Sequence, residues 1–162
     1  MEASFITWIQ QFSSPFIDVL FQAITMLGED IFYIIILTWI YWNVHKAFGA
    51  RLVYVFFLSM SLNGLLKTLI QAPRPIGVEG IRSLREHTAT GYSFPSGHTQ
   101  GTATLWYYLA GVLKKPWFTL TAVIIIILMA VSRLYLGVHW PRDVIGAIVI
   151  AVAAVYLWGL VY

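Results

Sequence analysis

Three short clusters in this chain combine residue types that bind anions and move protons. Pro95, Ser96, Gly97 and His98 stand where a polar loop rich in glycine, proline and charge gives way to a long apolar run. That junction predicts a helix over 97–113, and a helix N-terminus offers unpaired N–H groups and a positive dipole end to an anion. Ser96 either caps this helix or donates its hydroxyl to a bound oxyanion. Gly97 lets a ligand approach the backbone, and His98 adds a proton donor in the first turn.

Upstream, Lys67 and Arg74 lie seven residues apart, with Pro73 and Pro75 bracketing the arginine. The prolines end a helix and hold Arg74 at its edge. A planar guanidinium and a point-charge ammonium on one side of a site suit a doubly charged phosphoryl group. Asn63, Lys67 and Gln71 are spaced four apart, which predicts a polar stripe on one helical face. Lys67 then either faces a polar cavity or extends to the membrane surface. Downstream come Ser132 and Arg133, then His139, then Asp143. With positions 139 and 143 four apart at a helix start, the carboxylate can hold one imidazole tautomer and leave the other nitrogen free as a base or nucleophile. Arg133 supplies a third cation.

The elements that carry these residues belong to a membrane protein. Of 162 residues, 59% are apolar and 10% charged, and the mean hydropathy is +0.78, well outside the range of soluble domains. There is no cysteine, so no thiol nucleophile or Cys-based metal site, and the four histidines match no metal-binding spacing. The net charge of +3 is spread over loops and implies no nucleic-acid partner. Apolar runs predict spans over 31–44, 51–72, 97–113, 117–131 and 141–162. Residues 1–28 form amphipathic helices that lie in the interface or span as one kinked helix, and residues 29–162 form the bundle. In the stretch after Ser13, Ser14 and Pro15, an apolar face of Phe16, Ile17, Leu20, Phe21, Ile24 and Leu27 opposes a polar stripe of Asp18, Gln22 and Thr25. The chain ends at Tyr162 without a charged anchor, as a piece of a longer protein would.

Counting crossings puts all three clusters at one end of the bundle. His45, Lys46, Arg51, Lys114 and Lys115 fall at the other, which the positive-inside rule makes cytoplasmic. Glu79, Arg82, Arg85, Glu86 and His87 on the connecting loop are expected to form a solvated rim.

Taken together, Lys67 with six residues to Arg74 and Pro75, Pro95-Ser96-Gly97-His98, and Ser132-Arg133 with five residues to His139 and three more to Asp143 resemble the motifs of the type-2 phosphatidic acid phosphatase superfamily. Its relatives include glucose-6-phosphatase, sphingosine-phosphate phosphatases and soluble vanadium haloperoxidases. The resemblance covers residues 29–162. It implies an all-α polytopic membrane helical bundle of five to six spans that hydrolyses a lipid phosphate monoester or diphosphate without a metal or other cofactor. It further implies that His139 attacks phosphorus to form a phosphohistidine, Asp143 orients it, and His98 protonates the leaving oxygen. Lys67, Arg74, Ser96, Gly97 and Arg133 would bind the phosphoryl oxygens. Polyprenyl diphosphates and sugar phosphates are alternative substrates, and a non-catalytic lipid binder or a phosphotransferase are alternative functions. The partners implied are a lipid phosphate substrate and membrane lipids, with the active site on the extracytoplasmic or lumenal face. The first span of six-span relatives is replaced here by the amphipathic stretch before Glu29, an arrangement more similar to the sphingosine-phosphate and glucose-6-phosphate enzymes.

Overall fold

Capping residues and prolines fix where the helices begin and end. The computed structural model describes residues 1–159. Helices α1 (Glu2–Gln10) and α2 (Pro15–Met26) precede α3 (Asp30–Asn43), α4 (Lys46–Ile70), α5 (Gly97–Leu113), α6 (Pro116–Tyr135) and α7 (Pro141–Gly159). Among the described residues there is no strand, only one short 3-10 turn, Glu86–Thr88, in the 71–96 loop. The Ser14 hydroxyl caps α2 by accepting from the Ile17 amide at 3.3 Å, and Pro15 follows at the first helical position. Pro116 and Pro141 open α6 and α7 in the same way.

Two boundaries differ from the sequence-based expectation. Helix α4 starts at Lys46 rather than Arg51, because the His45 imidazole accepts from the Phe48 amide at 3.3 Å and caps it. It also ends at Ile70, so Gln71 does not continue the stripe of Asn63 and Lys67. Gln71 turns left-handed at φ 51° and donates its N–H to the Lys67 carbonyl. Pro73 disfavours helical geometry at Ala72, the residue before it, so the helix cannot continue and Gln71 forms its left-handed cap.

By length and composition α4, α6 and α7 each suffice to cross a membrane, and α2 with α3 would make one span bent by 48°. The contacts of α2 keep it at one end of the bundle, however. Asp18 in its first turn and Thr25 in its last bond to Tyr135 and Arg133, both in the final turn of α6. Helices α3 and α5, at 14 and 17 residues, are shorter but pack in the same bundle, which is roughly compatible with the expected five to six spans. The polar stripe of α2 faces protein, with Thr25 fully buried, while Phe16 and Val19 are 76% and 66% exposed on the lipid side.

Helix α5 occupies the centre, packed on α4, α6 and α7. Its buried Thr99, Gln100, Thr102 and Thr104 are polar and find partners, which is how helices adhere where lipid tails remove the hydrophobic drive. Asn63 donates to Gln100 Oε1 at 2.8 Å, Gln100 donates to the Ser59 carbonyl at 2.7 Å, and the Ser59 and Thr104 hydroxyls meet at 2.8 Å. On the α3 side, the Tyr33 hydroxyl meets that of Thr102 at 2.9 Å and donates to the His98 carbonyl at 3.1 Å. Gly101 makes this approach possible, because a Cβ there would lie 2.9 Å from the Tyr33 ring. Gly97 has ordinary space around it and is not required for packing.

Candidate active site

The end of the bundle where α4, α6 and the 71–96 loop meet the start of α5 and α7 carries Lys67, Arg74, Ser96, Gly97, His98, Arg133, His139 and Asp143. His139 sits in the short α6–α7 connection and is 1% exposed; Asp143, one helical turn on, is fully buried. Asp143 Oδ2 lies 3.5 Å from His139 Nδ1, accepts the Trp140 amide at 2.8 Å and accepts a short hydrogen bond from the Ser93 hydroxyl. Ser93 Oγ is also 3.4 Å from His139 Nδ1. On the opposite side of the ring, Arg74 Nη1 reaches His139 Nε2 at 3.1 Å. A guanidinium only donates, so Nε2 carries the lone pair and Nδ1 the proton, directed at Ser93 and Asp143. Burial and the charges of Arg133, Arg74 and Lys67 hold the His139 imidazolium far below the usual histidine range. His139 is therefore a neutral, pre-oriented imidazole.

Arg74 has no idle N–H. Besides His139 it serves the carbonyls of Val138 at 2.8 Å, Gly91 at 2.9 Å, Thr90 at 2.7 Å and Tyr92 at 3.2 Å. The Tyr92 carbonyl also accepts from Lys67 Nζ. Residues 90–92 thus lay three backbone oxygens over two cations. Partial burial pulls the Arg74 pKa down, with Asp143 opposing, yet a guanidinium so partnered stays charged.

Arg133 is 1% exposed and spends Nη1 on the Thr25 hydroxyl at 2.7 Å. Among the described residues, the buried guanidinium N–H groups without a hydrogen-bond partner are on Arg133 Nε and Nη2 and on Arg85 Nε, and the ring nitrogen His98 Nε2 is likewise unpartnered. Such orphaned guanidinium donors are costly unless something anionic fills the space they face. The Ser96 hydroxyl, for which two roles were open, caps α5: it accepts from the Thr99 amide at 3.5 Å and meets the Thr99 hydroxyl at 3.0 Å. Its own amide donates to the Asp143 carbonyl at 3.1 Å, which locks the start of α5 to the start of α7. Asp143 Oδ1 has no hydrogen-bond partner, and the nearest cation, Arg142 Nε, is 3.9 Å away.

Of the loop charges, Glu79, Arg82, Glu86 and His87 are exposed, as expected of a solvated rim, and Arg85 is half-buried. Arg82 makes a two-pronged pair with Asp18 at 2.7 and 2.6 Å, which holds its guanidinium above its usual pKa, and Arg85 pairs with Glu29 at 2.5 Å. Arg142 pairs with Glu2 at 3.4 Å. Three residues of the site escaped the sequence reading. Ser93 shows no motif spacing. Thr25 stood out only as a polar position on α2, and Gly28 backs the His98 ring, where a Cβ would lie 3.0 Å from Cδ2.

Comparison with known proteins agrees with this architecture. The pattern of the PAP2 superfamily matches residues 48–162. Human sphingosine-1-phosphate phosphatase 2 is 28% identical over 144 residues, covering 85% of this chain and 36% of that protein. The undecaprenyl-diphosphatase of Sulfolobus acidocaldarius is 34% identical over 106 residues, covering 62% of this chain and 48% of its own length. The chain thus spans between about a third and a half of these two relatives. The crystal structure of Aquifex aeolicus LpxE superposes with a TM-score of 0.82 at 26% identity, covering 98% of this chain and 94% of that one. The PAP2-type phosphatidylglycerolphosphate phosphatase of Bacillus subtilis gives 0.83 at 24% identity, covering 99% and 83%.

Proposed function

Because the chain belongs to the PAP2 superfamily, we propose that it is an integral-membrane phosphatase that hydrolyses a lipid phosphate ester through a phosphohistidine at His139. The observation that carries this reading is the set of unpartnered nitrogens on His98 and Arg133 beside a neutral imidazole whose lone pair lies on Nε2. Three cations and a helix N-terminus supply the charge stabilisation that phosphoryl transfer chiefly needs.

In the first step Arg74 Nη1 leaves Nε2 for a phosphoryl oxygen, and the freed lone pair forms a bond to phosphorus while the phosphorus–oxygen bond to the leaving group breaks and its electron pair stays on that oxygen. His98 delivers a proton to it. Asp143 and Ser93 hold the Nδ1 proton as positive charge develops on the ring. Phosphoryl oxygens replace the carbonyls of residues 90–92 on Arg74 and Lys67 and fill the space facing Arg133. In the second step a water oxygen attacks phosphorus, the electrons of the nitrogen–phosphorus bond return to Nε2, and the water proton passes to the now neutral His98. Phosphate leaves.

Charge supports the extracytoplasmic placement of this end. Lys46, Arg51, Lys114 and Lys115 cluster in the two short connections at the far end, as Lys and Arg do in cytoplasmic loops. The test is phosphate release by detergent-purified protein in excess EDTA from phosphatidic acid, phosphatidylglycerol phosphate, sphingosine phosphate, undecaprenyl diphosphate and glucose 6-phosphate. Release from a lipid substrate that disappears in His139→Gln is expected. A folded protein that releases phosphate from none of them overturns the reading.

A further inference from the structure

We infer that Arg85 forms a second anion subsite, one that receives the leaving phosphate of a diphosphate ester and so selects diphosphate lipids over monophosphates. The inference rests on the phosphatase reading above and specifies its substrate class.

Arg85 lies outside all three motif clusters, yet its side chain is 18% exposed and its Nε has no partner. The backbone at Arg85 is left-handed, φ 55°, an unusual conformation for a residue with a side chain. Glu29 anchors its Nη2 at 2.5 Å from the α2–α3 junction, and the neighbouring Gly28 packs against the His98 ring. Arg85, Glu29, Gly28 and His98 are therefore contiguous. Arg133 and Arg74 bear on both His139 and His98, and Arg85 is among the charges that bear on His98 and on Arg133 but not among those that bear on His139. Arg85 thus stands on the side of His98, the proton donor to the leaving oxygen, and away from the attacking nitrogen.

The nature of the leaving group decides what a cation there can do. An alcohol departs neutral once protonated and gives a guanidinium nothing to bind. A diphosphate ester cleaved at its terminal phosphorus sends the bonding electrons to the bridging oxygen, which leaves as part of a phosphate monoester whose charge grows in the transition state. A buried, unpaired Nε–H held in place by a carboxylate matches that charge. The ion pair with Glu29 sets the fork's orientation before substrate arrives.

The test compares farnesyl diphosphate with farnesyl monophosphate, which share one apolar tail, in the wild-type chain and in Arg85→Gln. The wild type should prefer the diphosphate in kcat/KM. In R85Q the ratio of diphosphate to monophosphate efficiency should fall about 10- to 100-fold, the worth of a charge-assisted hydrogen bond. Arg85→Lys, which keeps the charge without the fork, should recover part of the ratio. As a binding readout, methylenediphosphonate should inhibit monophosphate hydrolysis more strongly than orthophosphate, with the difference shrinking in R85Q. A wild type that prefers the monophosphate overturns the subsite without any variant. Parallel losses on both substrates in R85Q overturn it too, while leaving the phosphatase reading intact. If the wild type hydrolyses neither ester, that reading fails and the subsite falls with it.

Discussion

Arg74 donates to His139 Nε2 at 3.1 Å, so a cation fixes the tautomer of the imidazole from the side opposite its carboxylate. Because Nε2 is the only lone pair the ring can offer, His139→Gln should leave no turnover above background, while the thermal unfolding midpoint in detergent stays within a few degrees. Activity retained in H139Q, measured as phosphate release, would remove the nucleophile assignment.

Ser93 bridges Asp143 and His139 from the loop, fully buried. Ser93→Ala leaves Asp143 Oδ2 with the Trp140 amide and the His139 Nδ1–H, and the Nδ1 side of the imidazole is held by the carboxylate alone. The expected result is a kcat lower by about tenfold with KM little changed, as for loss of an interaction made in the transition state. A loss carried wholly by KM would show instead that Ser93 touches substrate.

Thr25 is the described hydrogen-bond partner of Arg133. Thr25→Val keeps the shape and removes the acceptor, leaving another buried guanidinium N–H unmet at a cost of about 1–3 kcal/mol. Thermal unfolding should shift down and phosphate affinity weaken, and Thr25→Ser should restore both. If T25S behaves like T25V, packing of the methyl group, not the hydroxyl, holds α2 in place.

Lys67→Ala and Arg74→Ala should each lower kcat/KM by about 2 to 4 kcal/mol of transition-state stabilisation, in line with comparable electrostatic groups. Both effects should persist unchanged in excess EDTA. Loss of wild-type turnover in EDTA, restored by added magnesium, would contradict the expectation that these cations act without a metal.

The depressed pKa of His139 fixes the sign of a pH effect. Below about pH 6.5 the unfolded chain binds a proton on this residue that the folded chain refuses, so stability falls as pH drops through that value. Wild type should therefore lose thermal stability more steeply than H139Q between pH 7 and pH 5. In the same window, kcat/KM should show no decline with an apparent pKa near 6.5. Identical stability slopes for the two proteins would mean that the buried ring titrates normally.

Much of this was legible in the chain itself. Ser14 with Pro15, Ser96, Pro116 and Pro141 mark helix starts through local chemistry alone, and the spacing of His139 and Asp143 puts them on one turn whatever the tertiary fold. What stayed hidden depends on long-range pairing. Thr25 meets Arg133 across 108 positions, and Glu29 meets Arg85 across 56. The direction of α2 was also ambiguous, because an amphipathic helix in a membrane protein can turn its polar side to water or, as here, to a buried arginine.

That inverted helix has a bearing on what counts as the smallest unit able to fold. The recognisable superfamily pattern begins at residue 48, but Thr25, Gly28, Glu29 and Tyr33 all precede it. A fragment trimmed to that border would strip Arg133 of its described partner, open the slot at Gly101 and uncover the His98 ring. The evolutionary border and the physical border of this domain are therefore about one helical hairpin apart.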